Sequence, residues 1–501
     1  MRLASIVRGV AIVASILCGC ITSTYADWVD GQNASFVIGQ PDFTSSGGAV
    51  TQNRLGARPT AVAVDFRYNK IYVADHTNNR VLRFGYPAIA NQPDAEAVLG
   101  QADFTSNAPN RGGSPQANSM HGPWGLAVDD GTLFVSDRFN YRVLRFDNAH
   151  TKTNGADADG VLGQPDFTTA VAGLTRSTTG ETFGLSFHDG SLWVCEDDNR
   201  RVLRFDNAAQ ATNGADADAV LGQVDFTSNA SATTRSGLAG ARDAAIDALG
   251  SLWIADEEND RVLVFDLAAT LGNGPESEAV LGQSDFTFDL NATAQDRLYH
   301  SNGLAIDGSG SLYVADRDNH RVMIFEEAWS KTDGADAEHV LGQTAFTANP
   351  SGTTQSTMTS PVGLAVNETG DTLFVADGNG RVIVFGDGLP SAPVALDATD
   401  RISSAFTANW DRAEGAQRYL LDVSTNDNFS SFVSGYQNHI ATDISQRVSG
   451  LSSVRTYYYR VRAENAAGTS PYSNRISATT TGITTSFTCF ISTLVDWFRE
   501  P

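Results

Sequence analysis

Eight residues lying just ahead of short apolar runs carry side chains able to do chemistry: Arg58, His121, Trp124, Glu181, Arg242, Asp243, Tyr299 and His300. Guanidinium groups, carboxylates and aromatic rings gathered in one place suit ligand recognition. Two of the eight also suit a metal. His121 and His300, with Glu181 or Asp243 as an acidic third ligand, offer the donor types of a catalytic zinc, which takes three protein ligands and keeps a fourth position open. No spacing compels that set, because the two histidines are offset by one residue relative to Gly125 and Gly303. Recognition without catalysis or cofactor is the leading reading, and a metal-dependent lyase or hydrolase is the alternative.

Other chemistry-bearing residues recur too regularly to be a site. Asp75, Asp137, Asp256 and Asp316 each stand five residues before an arginine. Chemistry does not need so many copies, whereas Asp and Asn brace tight turns and Arg can pair with the carboxylate across them. They are assigned to the scaffold. A second pattern is acidic: Asn154-Gly-Ala-Asp157-Ala-Asp159 recurs from Asn213 and from Asp333. Two carboxylates without a full ligand loop make a poor calcium site, so it reads as a solvated turn on the face opposite the long loops, with peripheral calcium the lesser reading. His76, His320 and His339 fall at turn or peripheral positions and read as surface residues. Cys195 takes the place that Ala315 holds further on, which fits a buried small residue rather than a reactive thiol. No Gly-x-Ser-x-Gly elbow, phosphate-binding loop or His-Glu-x-x-His motif is present.

The elements that must position these residues repeat six times. Val-Leu-Gly-Gln-x-Asp-Phe-Thr places glycines at 39, 100, 163, 222, 282 and 342, and Gly-Leu-Ala-Val-Asp is clearest from Gly125, Gly303 and Gly363. A third element, Leu-Tyr-Val-Ala-Asp-x-x-Asn-x-Arg-Val, sets arginines at 80, 142, 201, 261, 321 and 381. Each unit holds four short strand-like runs, for example 125–129, 133–137, 143–146 and 161–164, punctuated by Gly, Asp and Asn. Four-stranded sheets repeated around an axis make an all-β propeller, here of six blades. The chain opens on a fourth-strand element at 36–40 and ends its last repeat without one. That order predicts a 3+1 closure in which the N-terminal strand completes the last blade. Long connections such as 106–123 share one face with the second-to-third-strand turns, and long loops on a rigid scaffold carry function.

These motifs resemble the NHL repeat over residues 34–386. Some NHL-like propellers, the amidating lyases, bind zinc through histidines from several blades at the channel mouth. The resemblance therefore implies the zinc-like site at His121 and His300 as the alternative.

Pro390 to Pro393 mark a break in composition, and 387–393 reads as a linker. From 394 to 481 the rhythm becomes alternating, with Tyr419, Leu421 and Val423, then Tyr457, Tyr459 and Val461. Period two is the mark of half-buried strands. Gly450-Leu451 followed by Thr456-Tyr457-Tyr458-Tyr459-Arg460-Val461 resembles fibronectin type III domains, a β-sandwich in which Tyr457 takes the corner position. There is no Arg-Gly-Asp, so the domain reads as a spacer or docking module.

The first 26 residues read as an export signal: Arg2 and Arg8 precede an apolar run from Gly9 to Cys20, too short to span a membrane. Cleavage after Ala26 is one reading. The other takes Leu17-Cys18-Gly19-Cys20 as resembling a lipobox, with Cys20 lipidated. Either way the protein is expected to be extracytoplasmic, with membrane contact only through that anchor. Residues 482–501, including Cys489, form an apolar tail. Net charge is −24, which repels nucleic acid and anionic lipid. A protein, peptide or glycan remains as the expected partner.

Overall fold

The computed structural model describes residues 28–86, 91–386, 389–413, 416–465 and 468–482. The export signal with Cys18 and Cys20, most of the C-terminal tail with Cys489, and part of the 387–393 linker lie outside them. Two compact units divide between residues 388 and 389.

The first unit contains six four-stranded antiparallel sheets. In the second blade the inner strand Pro123–Asp129 pairs with Thr132–Asp137, then Arg142–Phe146, then the outer strand Gly160–Leu162. The inner strands neighbour one another in sequence order, and Leu364–Val366 of the last blade returns to Ala61–Asp65 of the first. The ring is closed. Its centre is tight: a Cβ added to Gly125 would stand 2.1 Å from the carbonyl oxygen of Phe183 in the next blade. Glycine is required there by close approach.

Each second-to-third-strand turn needs a residue in the left-handed region, supplied by Asn79, Tyr141, Arg200, Asp260, His320 and Gly380. The last turn is one residue shorter and uses glycine. Inside every turn lies a fully buried ion pair. Arg80 Nε donates to Asp75 at 2.7 Å and Arg142 Nε to Asp137 at 2.7 Å, with Glu196 substituting for Asp opposite Arg201. The same guanidinium groups donate to the Phe carbonyl of the following Asp-Phe-Thr, as Arg80 does to Phe104 at 2.6 Å and Arg261 to Phe286 at 2.7 Å. Burying a charge is tolerable only when it is paired and its remaining donors are satisfied. The scaffold assignment of these residues accounts for their recurrence. Cys195 is buried in the core, and burial pushes its thiol well up, which leaves it unreactive.

The acidic pattern forms exposed turns, as its composition suggests, and its residues also brace the blades. Its first residue caps the outer strand of the preceding blade. The backbone N–H groups of Val98, Val161 and Val220 donate to Asn154, Asn213 and Asn273, and Val280 donates to Asp333. Val37 and Val340 are capped likewise by Asn91 and Asp30. Every outer strand thus has an N–H of its free edge covered by a neighbour. The last acid of the pattern closes its own turn, Asp159 accepting from Asp147 N and Asp218 from Asp206 N. Nor is the segment confined to the far face, since Gly155 O accepts from Arg111 of a long loop. Among the described residues no three His, Cys, Asp or Glu side chains gather as metal ligands.

Phe36–Ile38 pairs antiparallel with Arg381–Phe385, and Val37 and Ile38 are fully buried. Trp28 Nε1 donates to Tyr313 Oη, and Phe43 O accepts from Arg381. Removing residues 28–44 is expected to cost well over about 5 kcal/mol, from apolar burial of about 1.5–3 kcal/mol per large side chain. A urea melt of the shortened chain checks this. An unchanged midpoint would show the strand to be dispensable.

The second unit packs a three-stranded sheet, Ala395–Ile402, Ala405–Trp410 and Ser445–Ser449, with a four-stranded one built on Arg418–Ser424 and Thr456–Glu464. Along Thr456–Glu464 burial alternates residue by residue, as the sequence rhythm predicts. Tyr457 Oη accepts from Ser452 N at 2.8 Å, which is the bond of a tyrosine corner.

A guanidinium and aromatic ladder at the channel mouth

The inner strands enclose a narrow cavity of about 50 Å³ lined by Thr60, Trp124, Arg242, Asp243, Asn302 and Leu364, among others. Above it the turns and long loops meet: Phe139 N donates to His121 O, and Asn140 bonds Asn110.

Around one arc of this mouth, planar cations and rings alternate. The Arg58 guanidinium carbon lies 5.0 Å from the centre of the Trp124 ring, and Arg138 lies 4.8 Å from the same ring. Arg138 and Arg242 each stand 4.4 Å from the Phe183 ring. Guanidinium groups stack on aromatic faces while their edges stay free to donate hydrogen bonds. Most of those edges are taken. Arg138 donates to Glu181 at 2.7 Å, and Arg242 pairs with Glu257 and, at 3.3 Å, with Asp197. Arg317 donates to the buried Glu257 at 2.7 Å and approaches Asp318, which in turn meets His300 Nδ1 at 2.7 Å. A continuous chain of contacts therefore runs from Arg58 on the first blade to His300 on the fifth.

Arg58, Glu181, Arg242 and His300 stand in this network as their positions ahead of the inner strands suggest. Tyr299 flanks it through His300, with ring centres 4.8 Å apart. Trp124 lies deeper than expected. It is 4 % exposed, covered by the two arginines it supports, and forms a floor rather than a free contact surface. Asp243 is also displaced from the mouth. It occupies the inner-strand position held by Gly125, Gly184, Gly303, Gly363 and Ala61 elsewhere, bordering the cavity. Its carboxylate accepts from Leu304 N and Ala244 N, both at 2.9 Å. Burial, only partly opposed by those N–H groups, pushes its pKa up to about 7.

The expected metal pair is not brought together. His121 and His300 belong to the second and fifth blades, on opposite sides of a six-blade ring. His121 packs against Phe139 while His300 is held by Asp318. The possible third ligands are engaged elsewhere, Glu181 by Arg138 and Asp243 by backbone.

Several mouth residues escape a reading based on the inner strands alone. His76, Arg138, Asp197, Glu257 and Arg317 each directly follow the fixed acid of the turn motif. That place is one of three in the turn that vary from blade to blade while the Asp, Asn and Arg around them recur, and its position directly after the fixed acid is the signal that marks it. His76 is accordingly no surface residue. It is half-buried against Trp124, and burial, reinforced by Arg138, holds its pKa down at about 4. Asp197 is pushed up to about 6 by burial, despite Arg242.

A model of the NHL repeat matches residues 299–325, and a fibronectin type III domain model matches residues 391–479. The chain is similar to NHL repeat-containing protein 2 of Homo sapiens, 24% identical over 362 residues, covering 65% of this chain and 46% of that protein. The Gallus gallus protein of the same name is 25% identical over 394 residues, covering 69% and 49%. The chain spans about half the length of the curated relatives it matches. Among solved structures, Kuenenia stuttgartiensis hydrazine synthase aligns over 68% of this chain and 98% of its own at 12% identity, with a TM-score of 0.40. A streptogramin B lyase structure aligns over 66% and 93% at 9% identity, with a TM-score of 0.38. The sixfold turn motif with its buried arginine, the closed ring of four-stranded sheets and the two domain matches together make this chain an NHL-repeat β-propeller protein with a C-terminal fibronectin type III domain.

Proposed function

We propose that this chain is an exported recognition protein that holds a peptide or protein segment across the long-loop face of its propeller, at the guanidinium and aromatic ladder. A protein-binding or scaffold role is what the NHL-repeat kinship supports. The observation that carries the reading is the contrast within each turn: a recurring buried frame presents His76, Arg138, Asp197, Glu257 and Arg317 on successive blades, a basic, acidic and aromatic mixture around one mouth. A scaffold alone does not need such asymmetry, and specific recognition does. The basic, then apolar, N-terminus supports export, and the acidic composition supports a partner other than nucleic acid. The fibronectin domain serves as spacer or docking module.

The test uses the full mature chain. Peptides selected from a random displayed library are measured by fluorescence anisotropy against the wild-type chain and Arg138→Ala. Saturable binding weakened at least about tenfold by the substitution, with folding intact by circular dichroism, is the expected result. Failure to select any peptide, or binding indifferent to Arg138→Ala, would overturn it.

A further inference from the structure

We infer that Arg58 is the open end of the ladder and receives a single carboxylate of the bound partner. This deepens the recognition reading and rests on it. Four guanidinium groups converge at the mouth, and three have acidic partners: Arg138 with Glu181, Arg242 with Glu257 and Asp197, Arg317 with Glu257 and Asp318. Arg58 differs. It is exposed, its guanidinium carbon lies over the Trp124 ring, and among the described residues it has no ion pair or hydrogen bond. In a chain of net charge −24, a cation left unpaired beside others of like sign is unusual.

The local field also favours an anion. Partial desolvation holds the Arg58 pKa below its ordinary value, and the positive charges of Arg317, Arg138 and Arg242 lower it further, with Glu257 acting the other way. An anion docked on the free edge would relieve that crowding. The geometry selects the kind of anion. Held over Trp124 with no acid beside it, Arg58 offers one free fork of N–H donors, which matches a planar carboxylate in a bidentate pair. A phosphate meets the same fork, but its remaining oxygens would find the neighbouring forks occupied by their own acids. A peptide C-terminus and an Asp or Glu side chain supply the same group.

Three matched pools of N-acetylated peptides separate the sources: free C-terminus, amidated C-terminus, and amidated C-terminus with one internal Glu. Binding to the full chain is measured for the wild type, Arg58→Gln and Arg58→Lys. One or both carboxylate-bearing pools are expected to bind at least about tenfold tighter than the plain amide. Arg58→Gln should abolish that preference, and Arg58→Lys should restore part of it without the bidentate contact. Whichever pool gains identifies the source. Equal binding of all pools, or a preference that survives Arg58→Gln, overturns the carboxylate site while leaving peptide recognition standing. If no pool binds, acetate alone is titrated and followed by tryptophan fluorescence. Saturation that vanishes in Arg58→Gln then supports the site and sinks the peptide reading, whereas no acetate response, or phosphate displacing acetate at equal concentration, overturns the site.

Discussion

Arg261→Met is expected to destabilise the propeller by about 3–5 kcal/mol, the usual cost of stripping one partner from a buried ion pair. Arg261 and Asp256 are both wholly inaccessible to solvent, joined by a 2.8 Å bond. The guanidinium also donates to Phe286 O, Thr234 O and Gly237 O. Methionine fills similar volume yet satisfies none of these acceptors, and it leaves Asp256 a buried charge without a cation. Only Asn259 and the N–H groups of Ala239 and Gly240 would still support that carboxylate. The double variant Asp256→Asn/Arg261→Met should recover part of the loss, because it removes the stranded charge. Urea denaturation of the three proteins provides the comparison. A loss below about 1 kcal/mol, the value of an exposed pair, would mean that the turn is held by something other than this arginine.

Asp243→Asn is expected to act in the opposite direction, increasingly so as pH rises from about 4 to neutral. The folded carboxyl keeps its proton up to about pH 7, whereas an unfolded aspartate releases it near 3.8. Between those values the native state binds more protons than the unfolded state, so the wild-type chain loses stability as pH rises through the interval. Above pH 7 the whole penalty stands, on the order of 4 kcal/mol at about 1.4 kcal/mol per unit. Asparagine has one carbonyl oxygen for the Leu304 N–H and carries no charge. The variant should therefore match the wild type near pH 4, gain steadily to pH 7 and hold its advantage at pH 8. Thermal melts at four pH values decide the matter. A gain that is flat across the series would mean that Asp243 does not titrate in the channel.

Much of the architecture is legible in the sequence because the forces that set it are local and repeated. The Asp, Asn and Arg of each turn meet within a few residues of one another, so their spacing alone predicts the contact. The same holds for Tyr457 and for the alternation through Tyr459 and Val461. The mouth is only half legible. Arg58, Glu181, Arg242 and His300 follow from their position ahead of an inner strand, but depth does not. Trp124 and Asp243 differ from their neighbours by how far they reach into a ring whose radius the sequence does not state. The stacking of Arg58 on Trp124, or of Arg242 on Phe183, joins residues about one repeat apart in separate blades. No local pattern encodes such contacts. Arg138, Glu257 and Arg317 escape for another reason: a search for what recurs passes over the places in each turn that do not.

The asparagine caps on the outer strands have a consequence for how the ring is made. Blade by blade, the residue that covers an outer strand comes from the next unit along the chain, Asn154 for Val98, Asn213 for Val161 and Asn273 for Val220. A chain emerging from the ribosome can thus finish a blade only after part of its successor has been made. At about 5–20 residues per second, one repeat takes roughly 3 to 12 s. In the first four blades the outer strand at the growing end is then covered by the arrival of the next Asn or Asp, while the strand Phe36–Ile38 waits for the last blade. Assembly acquires a direction, and a stalled chain betrays itself by the uncovered outer strand at its growing end.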